Sequence, residues 1–358
     1  MKIIIATDLH FSSKSSIVTG MSPKCNLTIR ETNCINSLNW VEDLAEQYQC
    51  GRIIYAGDIF DKTDLTAREL TALQKVTWSN IDHVFLVGNH EGLTKELDIS
   101  SAHLFEMIPN SKVISKPDID IGYGYELLYL PYITEEDREP LNNYFKFLMS
   151  GYFTTQEVKR RYVISHNDIK MNYGQFISTN GFDIKDIEAS CDLFLNGHIH
   201  NHSKFCKNGY NIGNLTGQNF GEDAFKYKHQ VCILDTDNGS LEWVVNPFAF
   251  NFYKFEVQSL EELNTILCLK IGSYAVVTVK APENIALEIK KTLESNGNII
   301  ASRVISVPDK EKEIEEEVKE TQLETMNHLD TFIHYIKENV GISDIVLSEL
   351  SEVCASEN

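Results

Sequence analysis

The sequence predicts an α/β fold of two packed sheets, followed by a small α+β module and a helical C-terminal tail. Three observations carry that expectation. Short branched apolar runs alternate with helical stretches up to about residue 90, strand candidates crowd residues 110–250, and strand and helix patterns alternate again from about residue 252. At 358 residues the chain exceeds what one compact core usually holds, so two domains, or one with appendages, are expected.

Taken in order, Ile3–Ala6, Ile53–Ala56 and His83–Val87 are branched apolar runs of strand length, each followed by a loop containing Gly or Asp. Asn33–Gln49 and Ala67–Ser79 lie between them. In the first of these, Ile35, Leu38, Val41, Leu44 and Ala45 recur at helical spacing. Strand–helix–strand alternation implies right-handed crossovers and a largely parallel sheet, whose post-strand loops share one edge. The next strand candidates are Lys112–Ser115, Leu127–Leu130, Tyr162–Ser165, Leu193–Leu195, Val231–Asp235 and Leu241–Val245. Asp237-Asn238-Gly239 marks a hairpin between the last two. A second sheet against the first is the natural way to bury these strands.

A different unit begins near Phe252. Its pattern is strand (Phe252–Val257), helix (Leu260–Leu267), strand (Tyr274–Lys280), helix (Asn284–Ser295) and strand (Ile299–Val307), ended by Pro308. Asp309–Thr325 is dense in Glu and Lys and reads as a solvated linker or exposed helix. Beyond it, Leu329, Phe332, Ile333 and Ile336 recur at helical spacing, as do Ile345, Val346, Leu350 and Val353. Such an apolar-faced tail docks on its own body or on another protein. The expected units are 1–250 for the main domain, 251–308 for the module, 309–325 for the linker and 326–358 for the tail.

With 42% hydrophobic and 23% charged residues, the balance is that of an ordinary globular protein. The 52 acidic against 32 basic side chains give a net charge of −20, which repels nucleic acid at long range. If the substrate is DNA, metal ions, a local basic patch or a partner must supply the attraction. The eight cysteines show no CxxC pair and no disulfide-scaffold spacing, so reduced thiols and a cytoplasmic location are expected. The apolar start Ile3–Ala6 is too short for a signal peptide, and no segment approaches the length that spans a bilayer.

Five short signals fall at strand ends. They are Asp8-Leu9-His10, Gly57-Asp58-Ile59-Phe60-Asp61, Gly88-Asn89-His90-Glu91, His166, and Gly197-His198-Ile199-His200. In extended chain, residues i and i+2 point to one side, so Asp8 and His10, or His198 and His200, can reach one metal. Taken singly, each signal is more often a turn, a surface accident or a structural histidine. Together they deliver Asp, Asn and His to one sheet edge five times over, which packing does not explain and which would crowd charge expensively. Two divalent cations would neutralise the carboxylates and use the lone pairs. Imidazole, carboxylate and amide without thiolate suit Mn, Fe or Zn, and one carboxylate bridging two ions roughly 3.5–4 Å apart is the usual arrangement for phosphoester hydrolysis.

The ordered set Asp-x-His, Gly-Asp-x-x-Asp, Gly-Asn-His-Glu, lone His and Gly-His-x-His resembles the calcineurin-like metallophosphoesterases across roughly residues 1–250. Within them it is most similar to the SbcD-type DNA repair nucleases and their large-phage counterparts, on Gly57–Asp61, on Tyr210-Asn211-Ile212-Gly213 and on the module with its helical tail. The resemblance implies an α/β/β/α sandwich core. It implies that Asp8, His10, Asp58 and His200 hold one ion, and that Asp58, Asn89, His166 and His198 hold the other. Further, it implies that His90 is a catalytic histidine outside the ligand set, oriented by Glu91, with Asp61 in the site. By the same resemblance the cofactors are two Mn²⁺ ions, with Mg²⁺, Fe²⁺ or Zn²⁺ as alternatives. Residues 251–308 cap DNA, and residues 326–358 dock on an SbcC-like coiled-coil ABC ATPase. The protein is then a homodimeric exonuclease and endonuclease acting on DNA ends and single strands, with no membrane partner. Relatives from archaea and eukaryotes carry a second histidine where Asp61 stands, and Gly213 leads here to Asn214-Leu215-Thr216 rather than Ser-Pro.

The other histidines, His83, His103, His202, His229, His328 and His334, read as structural or surface residues, with His202 the nearest to the double-His motif. Lys159-Arg160-Arg161 reads as a solvated run more readily than as a phosphate contact, and the absence of a P-loop assigns any ATP use to a partner. Two rival readings share the fold: a phosphoesterase for nucleotides or phosphoproteins without an ATPase partner, and a non-catalytic binding module.

Overall fold

A computed structural model describes residues 1–23, 25–150, 158–171 and 178–308. The expected linker and tail, 309–325 and 326–358, lie outside them, as do His328 and His334. In chain order, β1 (Lys2–Ala6), α1 (Ile29–Gln47), β2 (Arg52–Ala56), α2 (Ala67–Leu73), β3 (Asp82–Leu86) and β4 (Ser111–Ile114) form the first half. There follow β5 (Asp118–Gly122), β6 (Tyr125–Leu130), α3 (Leu141–Met149), β7 (Arg160–Ser165), and the two-residue strands β8 (Ile169–Lys170) and β9 (Phe182–Asp183). Next come α4 (Ile184–Ser190), β10 (Leu193–Asn196), β11 (Ser203–Lys204), β12 (Gly209–Asn211), β13 (Gln230–Asp235) and β14 (Leu241–Val245).

The first sheet runs β14-β13-β1-β2-β3-β4, with β1 to β4 parallel and β13 and β14 antiparallel at one edge. The second runs β11-β12-β10-β7-β6-β5, parallel through its centre with antiparallel strands at both edges. The strands read as continuous apolar runs because both faces of each sheet are covered. Along β1, Ile3 and Ile5 face the second sheet with Leu127, Tyr129, Ile164 and Leu195, while Ile4 faces α1 with Leu38, Val41 and Tyr55. On the far side, Leu128, Val163 and Phe194 meet Phe145 of α3 and Ile187 of α4. The result is the α/β/β/α sandwich, and each fully buried Ile or Leu within it contributes about 1.5–3 kcal/mol.

Both first-half helices start on a capping box, Thr28 with Glu31 and Thr66 with Glu69. The second helix stops at Leu73, well before the expected Ser79, where Lys75 and Val76 close tighter i–3 turns. Trp78 then leaves the helix to meet Tyr55 and Phe85 edge-on, at 6.3 and 6.0 Å. The Asp237-Asn238-Gly239 hairpin forms, with Gly239 at φ 77°. Among the described residues, no helix is long and apolar enough to cross a membrane, and the cysteines are free.

The module adds β15 (Asn251–Glu256), α5 (Leu260–Lys270), β16 (Ala275–Pro282), α6 (Glu283–Ser295) and β17 (Ile299–Val307) in the expected order. Its three strands are all parallel, ordered β15-β16-β17, with the two helices on one face. The other face carries Phe252 and Val276. These form a buried cluster with Phe250 and Val18, and Ile17 and Ile29 pack against it. The long loop from Phe11 to Thr28 is thereby held between the module and the sandwich.

Candidate metal centre

Five strands end at one edge of the sandwich: β1, β2 and β3 of the first sheet, and β7 and β10 of the second. The expected site residues all lie in the loops just beyond them. Those loops are laced together by their backbones, with Asp8 N–H donating to Gly57 O (3.1 Å), His10 N–H to Asp58 O (2.9 Å) and Gly197 N–H to Ser165 O (2.8 Å). Across the two sheets, His198 N–H donates to Asp8 Oδ2 at 3.0 Å.

The extended-chain rationale for Asp8 and His10 needs correction. Both lie in the left-handed region, at φ 53° and 47°, and so do Asp58 at 51° and His198 at 67°. The chain turns sharply off each strand instead of continuing along it. Asp and His tolerate this conformation better than branched residues, at a cost of roughly 1–3 kcal/mol each. Convergence is achieved by these turns and not by an i, i+2 register.

The side chains gather in two nests that share one oxygen. In the first, His10 Nε2 and His200 Nε2 face each other at 3.2 Å, and Asp8 Oδ1 lies 3.8 and 3.7 Å from them. Asp58 Oδ2 closes this nest at 3.8 Å from His10 Nε2. The same Oδ2 is 3.1 Å from His166 Nε2 in the second nest, where Asn89 Oδ1 lies 3.3 Å from His166 Nε2 and 3.0 Å from His198 Nδ1. Asp8 Oδ1 is buried and has no hydrogen-bond partner, and facing imidazole nitrogens surround it. An orphaned carboxylate oxygen among lone-pair donors fits a cation, and the groups His/Asp/His recur in both nests. The structure thus brings the residues of the two expected sets together, with Asp58 Oδ2 3.8 Å from His10 Nε2 and 3.1 Å from His166 Nε2.

Electrostatics agree. Burial would raise Asp8 and Asp58, but His166 and the neighbouring imidazoles hold both carboxyls below their usual range. Burial would lower His10 and His166, yet the carboxylates outweigh it and hold them up at about 10 and about 9. Protons thus fill the role that cations would fill, and cation uptake must release them.

Outer contacts fix the rings. His166 Nδ1 donates to the Ala56 carbonyl at 2.7 Å, leaving Nε2 for the nest. His198 Nε2 donates to Asp168 Oδ1 at 3.1 Å, leaving Nδ1, and this contact holds Asp168 below its usual carboxylate range. Asp168 was not singled out from the sequence, although it stands two residues past His166. Asn167 was missed too. Its amide donates to the carbonyls of Leu130 and Pro131, and it exchanges bonds with Asn196, tying the β6, β7 and β10 ends together.

Glu91 does not orient His90. It is fully buried, and its oxygens accept from the backbone N–H groups of Ile59, Phe60 and Gly88 at 2.9–3.0 Å, so it braces the β2 and β3 loops. Burial, with the charge of Asp58 behind it, pushes its carboxyl up to about 7. Asp61 is the neighbour His90 has: His90 Nδ1 donates to the Asp61 carbonyl at 3.2 Å, and Asp61 Oδ1 lies 3.7 Å from His90 Nδ1 and 3.3 Å from His10 Nδ1. The His90 ring meets His10 edge-on at 4.6 Å and sits at the mouth, 42% exposed.

His202 turns away from the nests, with Nδ1 donating to the Ile212 carbonyl at 3.3 Å and its ring 4.5 Å from Trp243. His83 pairs with Glu42, His103 with Ser100 and His229 with Asn214, all as structural contacts. Lys159-Arg160-Arg161 leads into β7 at the end opposite His166, with Arg161 bonded to Glu126 and set over Phe145.

Glycines make room for this crowding. A Cβ on Gly88 would overlap Asp58 Oδ1 and its backbone nitrogen, and one on Gly57 would overlap the His166 ring. Gly88→Ala is therefore expected to displace the shared carboxylate and cut phosphoester turnover by on the order of 10²-fold, since a 1 Å misplacement costs about that much. Turnover near that of the parent, with unaltered circular dichroism, would show the loop yields freely.

Residues 1–226 match the family model described as calcineurin-like phosphoesterase. Among curated proteins, the chain is similar to the DNA double-strand break repair protein Mre11 of Sulfurisphaera tokodaii, at 23% identity over 206 residues. That alignment covers 54% of this chain and 49% of the relative, so the chain spans about half of its length. Among solved structures it is similar to purple acid phosphatase PPD1 from yellow lupin, at 10% identity over 69% of this chain and 51% of that one, with a TM-score of 0.42. It is also similar to the NAD nucleotidase of Haemophilus influenzae, at 12% identity over 90% of this chain and 60% of that one, with a TM-score of 0.32.

Proposed function

The chain belongs to the calcineurin-like phosphoesterases, and from that premise we propose that it is a DNA nuclease subunit that hydrolyses phosphodiester bonds with two divalent cations. The observation that carries the two-cation reading is the single oxygen, Asp58 Oδ2, common to both nests. The likeness to a DNA double-strand break repair protein supports DNA as the substrate class. So does the module at 251–308, which meets the site-bearing loop through Val18 and Phe252 and which we assign to capping the bound DNA.

Asp8, His10, Asp58 and His200 would hold one cation, and Asp58, Asn89, His166 and His198 the other. Nitrogen and oxygen donors without thiolate suit Mn²⁺, Fe²⁺ or Zn²⁺ alike. By the resemblance to the SbcD-type nucleases we assign Mn²⁺, with Mg²⁺, Fe²⁺ and Zn²⁺ as alternatives. When bound, such a pair supplies Lewis-acid polarisation of the phosphate and a water acidic enough to attack it. His90 keeps Nδ1 on the Asp61 carbonyl, which leaves Nε2 to protonate the departing oxygen or to hold the phosphate. Asp61 positions both His10 and His90, and Glu91 keeps the two loops in register. We further assign residues 326–358 to docking on an SbcC-like coiled-coil ABC ATPase, and the working form to a homodimer in the cytoplasm.

The test is cleavage of end-labelled duplex and single-stranded DNA with Mn²⁺, Mg²⁺ or EDTA, beside nucleotide monoesters and a phosphopeptide. Metal-dependent shortening of DNA is the expected result. Turnover of the monoesters or the phosphopeptide alone would move the substrate to the rival class and leave the cation nests in place.

A further inference from the structure

The loop that follows His10 reads Ser12-Ser13-Lys14-Ser15-Ser16, and it is pinned at both ends. Ser13 N–H and its hydroxyl both donate to Glu69 Oε1 at 2.9 Å, and Val18 is buried against Phe250 and Phe252. Ser12 Oγ accepts from Lys14 N–H (3.2 Å), while Ser15 Oγ accepts from Ile17 and Val18 N–H (3.2 and 3.0 Å). Ser15 Oγ thus has both lone pairs engaged and only its proton left, and Ser12 Oγ keeps its proton and one lone pair. Both hydroxyls can donate to an anion.

A cavity of about 180 Å³ opens beside His10 and Asp61, walled by Ser12, Lys14, Ser15 and Arg30. Arg30 is 5% exposed, and its guanidinium donates to the carbonyls of Leu9, His10 and Gly217 and to Asn33 Oδ1. These hydrogen-bond partners are neutral oxygens. The buried Glu222 carboxyl also feels the Arg30 charge and offsets part of it, so among the described residues Lys14 is the cation that faces the cavity without a counter-charge. Lys14 is exposed, and its ammonium has no ion-pair partner among the described residues. In a chain of net charge −20, two cations on one wall beside the candidate metal centre are a local reversal. Asp61, the carboxylate at this cavity, is turned to His10 Nδ1 at 3.3 Å. Phe250 and Phe252 line it only as buried rings, 2% exposed each, so they offer no face on which a base could stack.

We infer that this cavity grips a non-scissile backbone phosphate of the substrate strand, the one adjacent to the phosphate being cut, with Lys14 as its mobile cation and the Ser12 and Ser15 hydroxyls as donors. The inference deepens the nuclease reading and rests on it. The cavity runs from the nests toward the module, so it would set the direction in which the strand leaves the site.

The test compares kcat/KM for a single-stranded oligonucleotide with that for bis(p-nitrophenyl) phosphate, a diester with no neighbouring phosphate, both with Mn²⁺. Lys14→Ala is expected to lower the ratio of the two about tenfold, through KM for the oligonucleotide, the size of one charged hydrogen bond. Lys14→Glu should lower it further, and Lys14→Arg should restore most of it. The slope of log kcat/KM for the oligonucleotide against log salt should fall by about 0.7 in Lys14→Ala, as expected for one lost single-strand phosphate contact. A ratio unmoved across the three variants, or an equal loss on both substrates, would overturn the subsite. Parent protein that turns over the small diester but no DNA would instead sink the nuclease reading, and the subsite with it.

Discussion

Replacing His90 with alanine or asparagine is expected to cut phosphodiester turnover by about 10²–10⁴-fold while metal content stays at the parent level. The reason lies in where His90 sits. Its backbone N–H donates to Asp58 Oδ1 at 3.0 Å, which holds the residue at the rim of the shared carboxylate. Its side chain, 42% exposed, bonds to the Asp61 carbonyl and meets only the edge of the His10 ring. The backbone contact survives both substitutions, so the nests should too. What disappears is the imidazole that can give a proton to the leaving oxygen. Elemental analysis beside steady-state kinetics decides the matter. His10, Asp61 and His90 also lie close enough together to hold an ion by themselves. A His90 variant that loses metal along with activity would therefore make it a ligand.

Asp58→Asn is expected to do the opposite damage. The substitution keeps shape and one oxygen but removes the charge that both nests share, with Oδ2 between His10 Nε2 and His166 Nε2. Two cations would then repel each other across a neutral amide. Metal content should drop from about two per chain to one or fewer, and turnover by at least about 10³-fold, the scale of several kcal/mol at 1.36 kcal/mol per decade. Asp58 is 2% exposed and its Oδ1 packs against the bare Cα of Gly88, so no neighbouring carboxylate can move into its place without displacing that loop. Full metal content with activity retained in Asp58→Asn would mean that the bridge lies elsewhere.

Much of the architecture was legible because burial on both faces writes it into the chain. Ile3–Ala6 and Ile53–Ala56 can be little else than central strands, and each is followed at once by the residues that matter. Shorter or more amphipathic pieces hid. α3 carries Leu141, Tyr144, Phe145 and Leu148 at helical spacing, a signal present but overlooked, whereas β11 and β12 are two and three residues long and exist only by pairing. At the site, the seven residues that gather in the two nests, and His90, could be named from local words in the sequence. The role of Glu91 could not, because adjacency to His90 in the chain says nothing of which way a buried carboxylate turns. Asp168 went unnoticed for a related reason. Its partner, His198, is thirty positions away, and only the register of β7 beside β10 brings them together. The Phe11–Thr28 loop is not legible in the sequence, because Val18 is buried against Phe250 and Phe252, more than two hundred residues away in the chain.

The division of the site between the two sheets has a consequence for folding. Asp8, His10, Asp58 and Asn89 follow strands of the first sheet, and His166, His198 and His200 follow strands of the second. Neither group of side chains can be assembled from one sheet alone. A half-made chain, or one whose halves have parted, holds no complete group. Chemistry at this edge is thereby tied to completion of the fold, because the two sheets must meet before the carboxylates and imidazoles do.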